Sequence, residues 1–314
     1  MDAPKEVAAG SLRRSLLFVP AIDRKKIEKS AGSGADTVLL DLEDSIAIDA
    51  KRDARENAAR SLQGPDFEAA ELVVRINPLA SPYFEEDVSA VVAGGARCLM
   101  LPKCESADQL SEAVARIEAA ERAAFEAHGG QGEAGVANPD VKQTVRILAL
   151  VETARGVHSV VDVCASTDRI DGVCFGHVDF SSDMGLASPS VANPVGAHAR
   201  ASLVLGARAR QKAAVDTVFL DVRDDEGLEA EAREAASMGF SGKLCIHPRQ
   251  VAFVNRAFTP DEAAIEYARR ILEARDDAEA RGVGVFAVDG KMIDAPVIAI
   301  QERVMARARR AGVA

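Results

Sequence analysis

No apolar run in these 314 residues approaches the roughly 20 needed to span a bilayer, so no membrane segment is expected. Long low-complexity tracts are absent too. With 48% hydrophobic and 28% charged residues, the chain is expected to fold around a sizeable core. Positive charge is in deficit, and a net charge of −11 argues against a general nucleic-acid binder. Cysteine is sparse and scattered (Cys98, Cys104, Cys164, Cys174, Cys245), with no C-x-x-C pair. Three of these lie in apolar, strand-like runs, which points to thiols in a reduced core rather than disulfides or metal ligands. The opening MDAPKEVAAGSLRRS has no apolar segment of the signal-peptide kind, so residues 1–13 read as a loose tail and the protein as cytoplasmic. No G-x-G-x-x-G follows the first strand, and nothing points to a dinucleotide fold.

What is present is alternation. Apolar runs at 15–20, 37–44, 72–78, 98–103, 145–153, 172–179, 216–222 and 242–248 are separated by helix-forming segments such as 49–62, 106–126, 195–213 and 226–238. Eight such units suit a closed (β/α)8 TIM barrel, an α/β fold of about 250 residues, better than an open doubly wound sheet. The catalytic barrel is expected over 14–258, with a Gly-rich excursion at 128–143. Residues 259–314 form a helical appendix. Its first helix is announced by Thr259-Pro260-Asp261-Glu262, with Pro260 at the first helical position, and its last begins at Pro296. An appendix too small for its own core must pack on this barrel or on a neighbouring one.

In such a barrel the C-terminal strand ends share one mouth, where active sites gather. The run VRILALVETARG ends its aliphatics at Glu152, just as a helix begins, and the next strand is read as ending at Asp179. Two carboxylates from adjacent strands can hold one divalent ion, Mg²⁺ or Mn²⁺ rather than zinc, since all ligands would be oxygen. His177 reads as a packing group or a support for a ligand. Arg75, ending strand three, is costly to bury unless it meets an anion. That anion is either an internal partner (Asp41, Glu43 or Asp44) or a substrate carboxylate or developing oxyanion. The strand-two carboxylates either order metal-bound water or hold Arg75 and Lys103. The basic residues Arg13, Arg14, Arg24, Lys25, Lys26 and Lys29 flank strand one, as a patch steering anions to the mouth or as a solvated helix face. The turn after strand seven, from Asp221 to Glu226, is acidic and weakens the case for a phosphate site there.

The segments RSLLFVPA (14–21), LLDLEDS (39–45), VVRINP (73–78), LPK (101–103), VETARGV (151–157), FGHVDFSSDMG (175–185), CIHPRQV (245–251) and VDGKMIDAPVI (288–298) resemble the HpcH/HpaI aldolase–citrate lyase superfamily. Within it they are similar to the citrate lyase β-subunit-like branch, which includes malyl-CoA and citramalyl-CoA lyases. The resemblance covers about 14–298 in family order. It implies a (β/α)8 barrel with Mg²⁺ on Glu152 and Asp179, Arg75 beside the substrate thioester, and an appendix capping the neighbour's site in a homotrimer or hexamer. Asp294, in GKMID, would be the acid/base delivered across that interface. Read without the resemblance, Asp294 equally suits a cap for the helix at Pro296.

The implied reaction is Mg²⁺-dependent cleavage of a 3-hydroxyacyl-CoA into a 2-oxo acid and acetyl-CoA or propionyl-CoA. Arg75 would stabilise the enolate and Asp294 protonate it. Backbone N–H groups around Gly176 to Asp179 would hold the oxo-acid carboxylate, and Arg14 and Lys26 would meet the CoA phosphates. The alternatives are a citrate lyase β subunit acting on an acyl-carrier thioester, a thioesterase or malate-synthase-like activity, and a 2-oxo acid aldolase. The last usually works with a histidine base, and no histidine follows strands one or two. A non-catalytic scaffold is disfavoured because Arg75, Glu152, Asp179 and Asp294 are all present.

Overall fold

In the computed structural model, which describes residues 12–64, 67, 70–127 and 144–314, eight parallel strands close a barrel in sequence order. The strands are β1 (Ser15–Pro20), β2 (Thr37–Asp41), β3 (Glu71–Arg75), β4 (Cys98–Leu101), β5 (Arg146–Val151), β6 (Ile170–Phe175), β7 (Ala213–Asp216) and β8 (Gly242–Cys245). Pairing of β1 with β8 shuts the ring. Helices α1 (Arg24–Ser30), α2 (Lys51–Leu62), α3 (Phe84–Ala93) and α4 (Ala107–Ala127) cover the first half of the barrel. The second half carries α5 (Ala154–His158), α6 (Val160–Ala165), α7 (His177–Asp183), α8 (Pro194–Ala209), α9 (Asp225–Met238) and α10 (Pro248–Phe258). The expected Gly-rich excursion at 128–143 and most of the expected tail lie outside the described residues.

Side chains alternate across each strand, so every second residue faces the barrel interior. Leu16, Leu39, Val73, Leu148, Leu150, Cys174 and Leu244 fill that interior as one apolar cluster. Their neighbours in sequence, such as Leu17, Val38, Leu40, Val74 and Val173, join the larger layer between sheet and helices. All five cysteines are free and buried. No helix among the described residues is long and apolar enough to cross a membrane.

Most strands end a few residues before the expected runs, and three further departures each have a local reason. Strand six stops at Phe175, because Gly176 leaves the extended conformation and His177 starts a helix. Asp179 therefore sits in the first turn of α7 rather than on a strand. Strand seven ends at Asp216 instead of beginning there. That carboxylate is fully buried against Arg200 and Lys243, so its strand lies upstream of the aliphatic run that follows. The helix expected to begin just after Glu152 is broken at Ser159 into α5 and α6.

Beyond the barrel, α11 (Glu262–Ala280) and α12 (Ala295–Arg310) flank a hairpin of β9 (Phe286–Val288) and β10 (Lys291–Ile293). Asp261, not Thr259, caps α11, which leaves Pro260 outside the helix rather than in its first turn. Ile265, Ala268, Met305 and Ala308 make a small apolar cluster between the two helices.

Candidate active site

Continuing the inward alternation by one step from Leu39, Val73, Leu150 and Cys174 brings Asp41, Arg75, Glu152 and Gly176 to the mouth of the barrel. Asp41 and Arg75 are register partners on adjacent strands. Arg75 Nε donates to Asp41 Oδ1 at 2.7 Å and Nη2 to Asp41 Oδ2 at 2.8 Å. Its Nη1 lies 3.0 Å from Glu43 Oε2 and 3.5 Å from Asp44 Oδ2, and its guanidinium stacks over the Phe18 ring at 4.8 Å. Burial opposes the charge on Arg75, but the hydrogen bonds and charge of Asp41, aided by Glu43 and Asp44, outweigh it and hold its pKa above the ordinary value. The internal-partner reading of Arg75 thus holds, and it leaves a rigid cation at the mouth.

Glu152 is only 1% exposed. Its Oε1 accepts the backbone N–H of Lys103 at 2.9 Å, and it packs against Gly176, where a Cβ would lie 2.6 Å from Glu152 Oε2. Burial, then the charges of Glu43 and Asp179, push the Glu152 carboxyl up to about 8. Burial first, with Asp44 and Asp41 adding to it, likewise pushes Glu43 up to about 7, and its Oε2 makes no hydrogen bond. Lys103 Nζ lies 3.4 Å from Glu43 Oε1. Asp179 is half-buried, and its side chain has no hydrogen bond or ion pair with a described residue.

Around the mouth four carboxylates (Asp41, Glu43, Glu152 and Asp179) face two cations, Arg75 and Lys103, and the Glu43 Oε2 is held by the charge of Arg75 without a hydrogen bond. Among the described residues no three His, Cys, Asp or Glu side chains converge as a closed ligand set. Glu152 and Asp179 fit Mg²⁺, which usually takes one or two carboxylates and fills its shell with water and substrate oxygens.

The segment bearing Asp179 is tied at both ends. His177 Nδ1 lies 2.6 Å from Thr217 Oγ1, and Asp183 Oδ2 accepts the Ala154 N–H at 2.7 Å. Burial, then Lys243, lowers the His177 pKa to about 4, so His177 is a neutral packing group. Gly176 N–H donates to Val151 O and His177 N–H to Thr217 Oγ1. The expectation that Gly176 offers its amide to a substrate is therefore corrected. Its contribution is space for Glu152, and Val178 and Asp179 lie in the first turn of α7.

Arg14 also needs correction. It precedes β1, at the barrel end opposite the mouth, where it binds Asp36 and Thr259 Oγ1. Arg13 is there too, held by Glu71 and Asp171. The basic cluster is thus divided, and only its α1 members stand on the mouth side. Lys26 is one of them, exposed and 3.5 Å from Asp23. Asp294 accepts the Val297 N–H at 3.3 Å as the cap of α12, and makes no hydrogen bond to the mouth residues of its own chain. Lys103, Gln109, Thr217 and Asp183 were not singled out as site residues from sequence. The LPK motif gave a signal for Lys103 and the FGHVDFSSDMG segment for Asp183, and nothing did so for Gln109 or Thr217.

The HpcH/HpaI aldolase/citrate lyase family matches residues 14–248. The chain belongs to that family. It is an enzyme of the carbon–carbon lyase class, with relatives of that kind along nearly its whole length. It is 33% identical to citrate lyase subunit beta of Leuconostoc mesenteroides subsp. cremoris, over 94% of this chain and 92% of that one. It is 34% identical to L-malyl-CoA/beta-methylmalyl-CoA lyase of Cereibacter sphaeroides, over 94% of each. Among solved structures, protein CitE of Mycobacterium tuberculosis, in complex with magnesium, acetoacetate and coenzyme A, superposes with a TM-score of 0.74 at 34% identity. The match covers 98% of this chain and 99% of that one.

Proposed function

We propose that the chain cleaves a 3-hydroxyacyl-CoA of the malyl-CoA, β-methylmalyl-CoA, citramalyl-CoA or citryl-CoA type into a 2-oxo acid and acetyl-CoA or propionyl-CoA. The observation that carries this reading is the buried Glu152 with Asp179 beside it, next to an Arg75 locked by Asp41. The bond broken joins the carbon α to the thioester carbonyl to the carbon bearing the hydroxyl. The hydroxyl proton passes to solvent water, the bonding pair passes into the thioester as an enolate while the carbinol carbon becomes the 2-oxo carbonyl, and the α carbon then takes up a proton. Mg²⁺, when bound by Glu152 and Asp179, supplies positive charge that makes the substrate hydroxyl more acidic. Mn²⁺ would serve the same ligand set.

Arg75 supports the enolate as a fixed charge that needs no reorganisation during the reaction. The first-turn amides of α7 receive the oxo-acid carboxylate. Lys26, on the mouth side, meets the CoA phosphates. Asp294 protonates the α carbon from the appendix of a second copy, in a homotrimer or hexamer. Exposed apolar side chains on both surfaces support that docking, Ile48, Val178, Leu220 and Ile246 around the mouth and Val285, Met292 and Ile300 on the appendix. The five reduced thiols support a cytoplasmic enzyme.

The comparable identity to citrate lyase subunit beta favours one second reading, cleavage of a citryl thioester on an acyl carrier. The test is a panel of malyl-CoA, β-methylmalyl-CoA, citramalyl-CoA and citryl-CoA, with Mg²⁺ and with EDTA. Mg²⁺-dependent release of an oxo acid together with acetyl-CoA or propionyl-CoA is expected. Free CoA without an oxo acid would indicate a thioesterase, and no turnover of any CoA ester beside cleavage of an added citryl thioester of an acyl carrier protein would indicate the second reading.

A further inference from the structure

Three described residues other than glycine have positive φ, and Lys103 (φ 55°) is the one at the mouth. A side-chain-bearing residue rarely adopts this conformation, and where it persists the surroundings must hold it. The conformation coincides with the one hydrogen bond that any described residue gives to the Glu152 carboxylate, from Lys103 N–H. The turn is braced by Gln109, in the first turns of α4. Gln109 Nε2 donates to Lys103 O at 2.9 Å, and Gln109 Oε1 accepts from Glu105 N at 2.8 Å, so one side chain bridges both sides of the turn. Between them, Cys104 N donates to Leu150 O, two residues before Glu152. On the far side Gly156 approaches so closely that a Cβ there would lie 2.5 Å from Cys104 O.

We infer that Gln109 is a positioning residue for Glu152, acting through the left-handed turn at Lys103 to aim the carboxylate that binds the divalent ion. The ligand role of Glu152 comes from the reading above, whereas the brace itself is independent of it. Without Gln109 the turn relaxes toward right-handed backbone and its N–H leaves Glu152. Groups that orient a metal ligand in this way typically contribute about 10–100-fold to metal affinity. Glycine at position 103 would reach positive φ without steric cost and would need no brace.

The experiment measures Mg²⁺ affinity by calorimetry and exchange of the Lys103 amide in metal-free protein. The full-length proteins compared are wild type, Gln109→Leu, Lys103→Gly and the double variant. Gln109→Leu is expected to weaken Mg²⁺ binding by about tenfold or more and to accelerate that amide's exchange. In the Lys103→Gly background the same substitution should change affinity by less than about threefold. Gln109→Glu keeps the acceptor for Glu105 N but loses the donor to Lys103 O, and should shift both readouts in the same direction as Gln109→Leu. Equal loss in both backgrounds would reduce Gln109 to a general stabiliser of α4 and overturn the inference, as would unchanged exchange at Lys103. If wild type binds no Mg²⁺, the metal reading fails, and the exchange data alone decide whether Gln109 braces the turn.

Discussion

Gly176 and Glu152 approach each other more closely than any side chain at position 176 would permit, since a Cβ there would lie 2.6 Å from both Cβ and Oε2 of Glu152. The two segments that carry the proposed Mg²⁺ ligands, the end of β5 and the start of α7, are thereby fitted together before any ion arrives. Gly176→Ala is expected to push Glu152 aside and raise the Mg²⁺ concentration for half-maximal product release by about 10–100-fold. Steady-state rates across a Mg²⁺ titration check this, and an unchanged half-saturation would show that the close fit is dispensable.

The raised carboxyls give a pH signature. Burial pushes the Glu152 carboxyl up to about 8 and the Glu43 carboxyl up to about 7, against 4.5 ordinarily. Between these limits the folded state binds more protons than the unfolded chain, so this contribution to stability falls as pH rises. Mg²⁺ favours the ionised form and should reverse the trend, raising the melting temperature more at about pH 8.5 than at about pH 6. Calorimetric melting in EDTA and in Mg²⁺ checks this. Glu152→Gln should flatten the slope in EDTA.

Asp41→Asn separates the charge from the stability of the site. It removes one member of a buried ion pair and is expected to cost about 3–5 kcal/mol, read from urea unfolding. Arg75 holds the Asp41 carboxyl below its ordinary 3.8 against the effect of burial. Its stabilisation is therefore present above that value and lost as pH falls through the lowered one, so wild type and variant should converge in acid. A gap constant to the most acidic pH would place the stabilisation elsewhere.

The barrel was readable from sequence because each strand is an apolar run bounded by helix-forming segments, and β1 matches its expected residues at both ends. Glu152 was readable for the same reason, as a carboxylate where such a run stops. Asp179 could be identified but not located, since Gly176 turns the chain into a helix inside a run with no polar break. The end of β7 was missed because Asp216 is a buried ion-pair member that resembles a boundary. Arg14 was misassigned because basic residues on the two sides of β1 are near in sequence yet lie at opposite ends of the barrel. Gln109 and Thr217 left no trace, and Asp183 only its place in the FGHVDFSSDMG segment, because their contribution is a hydrogen bond to a backbone atom or side chain of another segment.

Asp294 and Arg75, in the proposed arrangement, act from different copies. Asp294→Asn and Arg75→Lys homo-oligomers should each lose about 10²-fold or more in rate. Mixed and reassembled, they should regain a sizeable part of wild-type activity, because some sites then combine an intact Asp294 with an intact Arg75. Cleavage assays before and after mixing check this, and no recovery despite proven subunit exchange would put Asp294 outside the chemistry.

The most direct measurement is the Mg²⁺ binding isotherm of wild type beside Glu152→Gln and Asp179→Asn. One Mg²⁺ per chain in wild type, lost or weakened by about 10²-fold or more in both variants while all three remain folded, is the expected result. Binding of equal strength in all three would contradict the assignment of these two carboxylates to the ion and, with it, the proposed route of carbon–carbon cleavage.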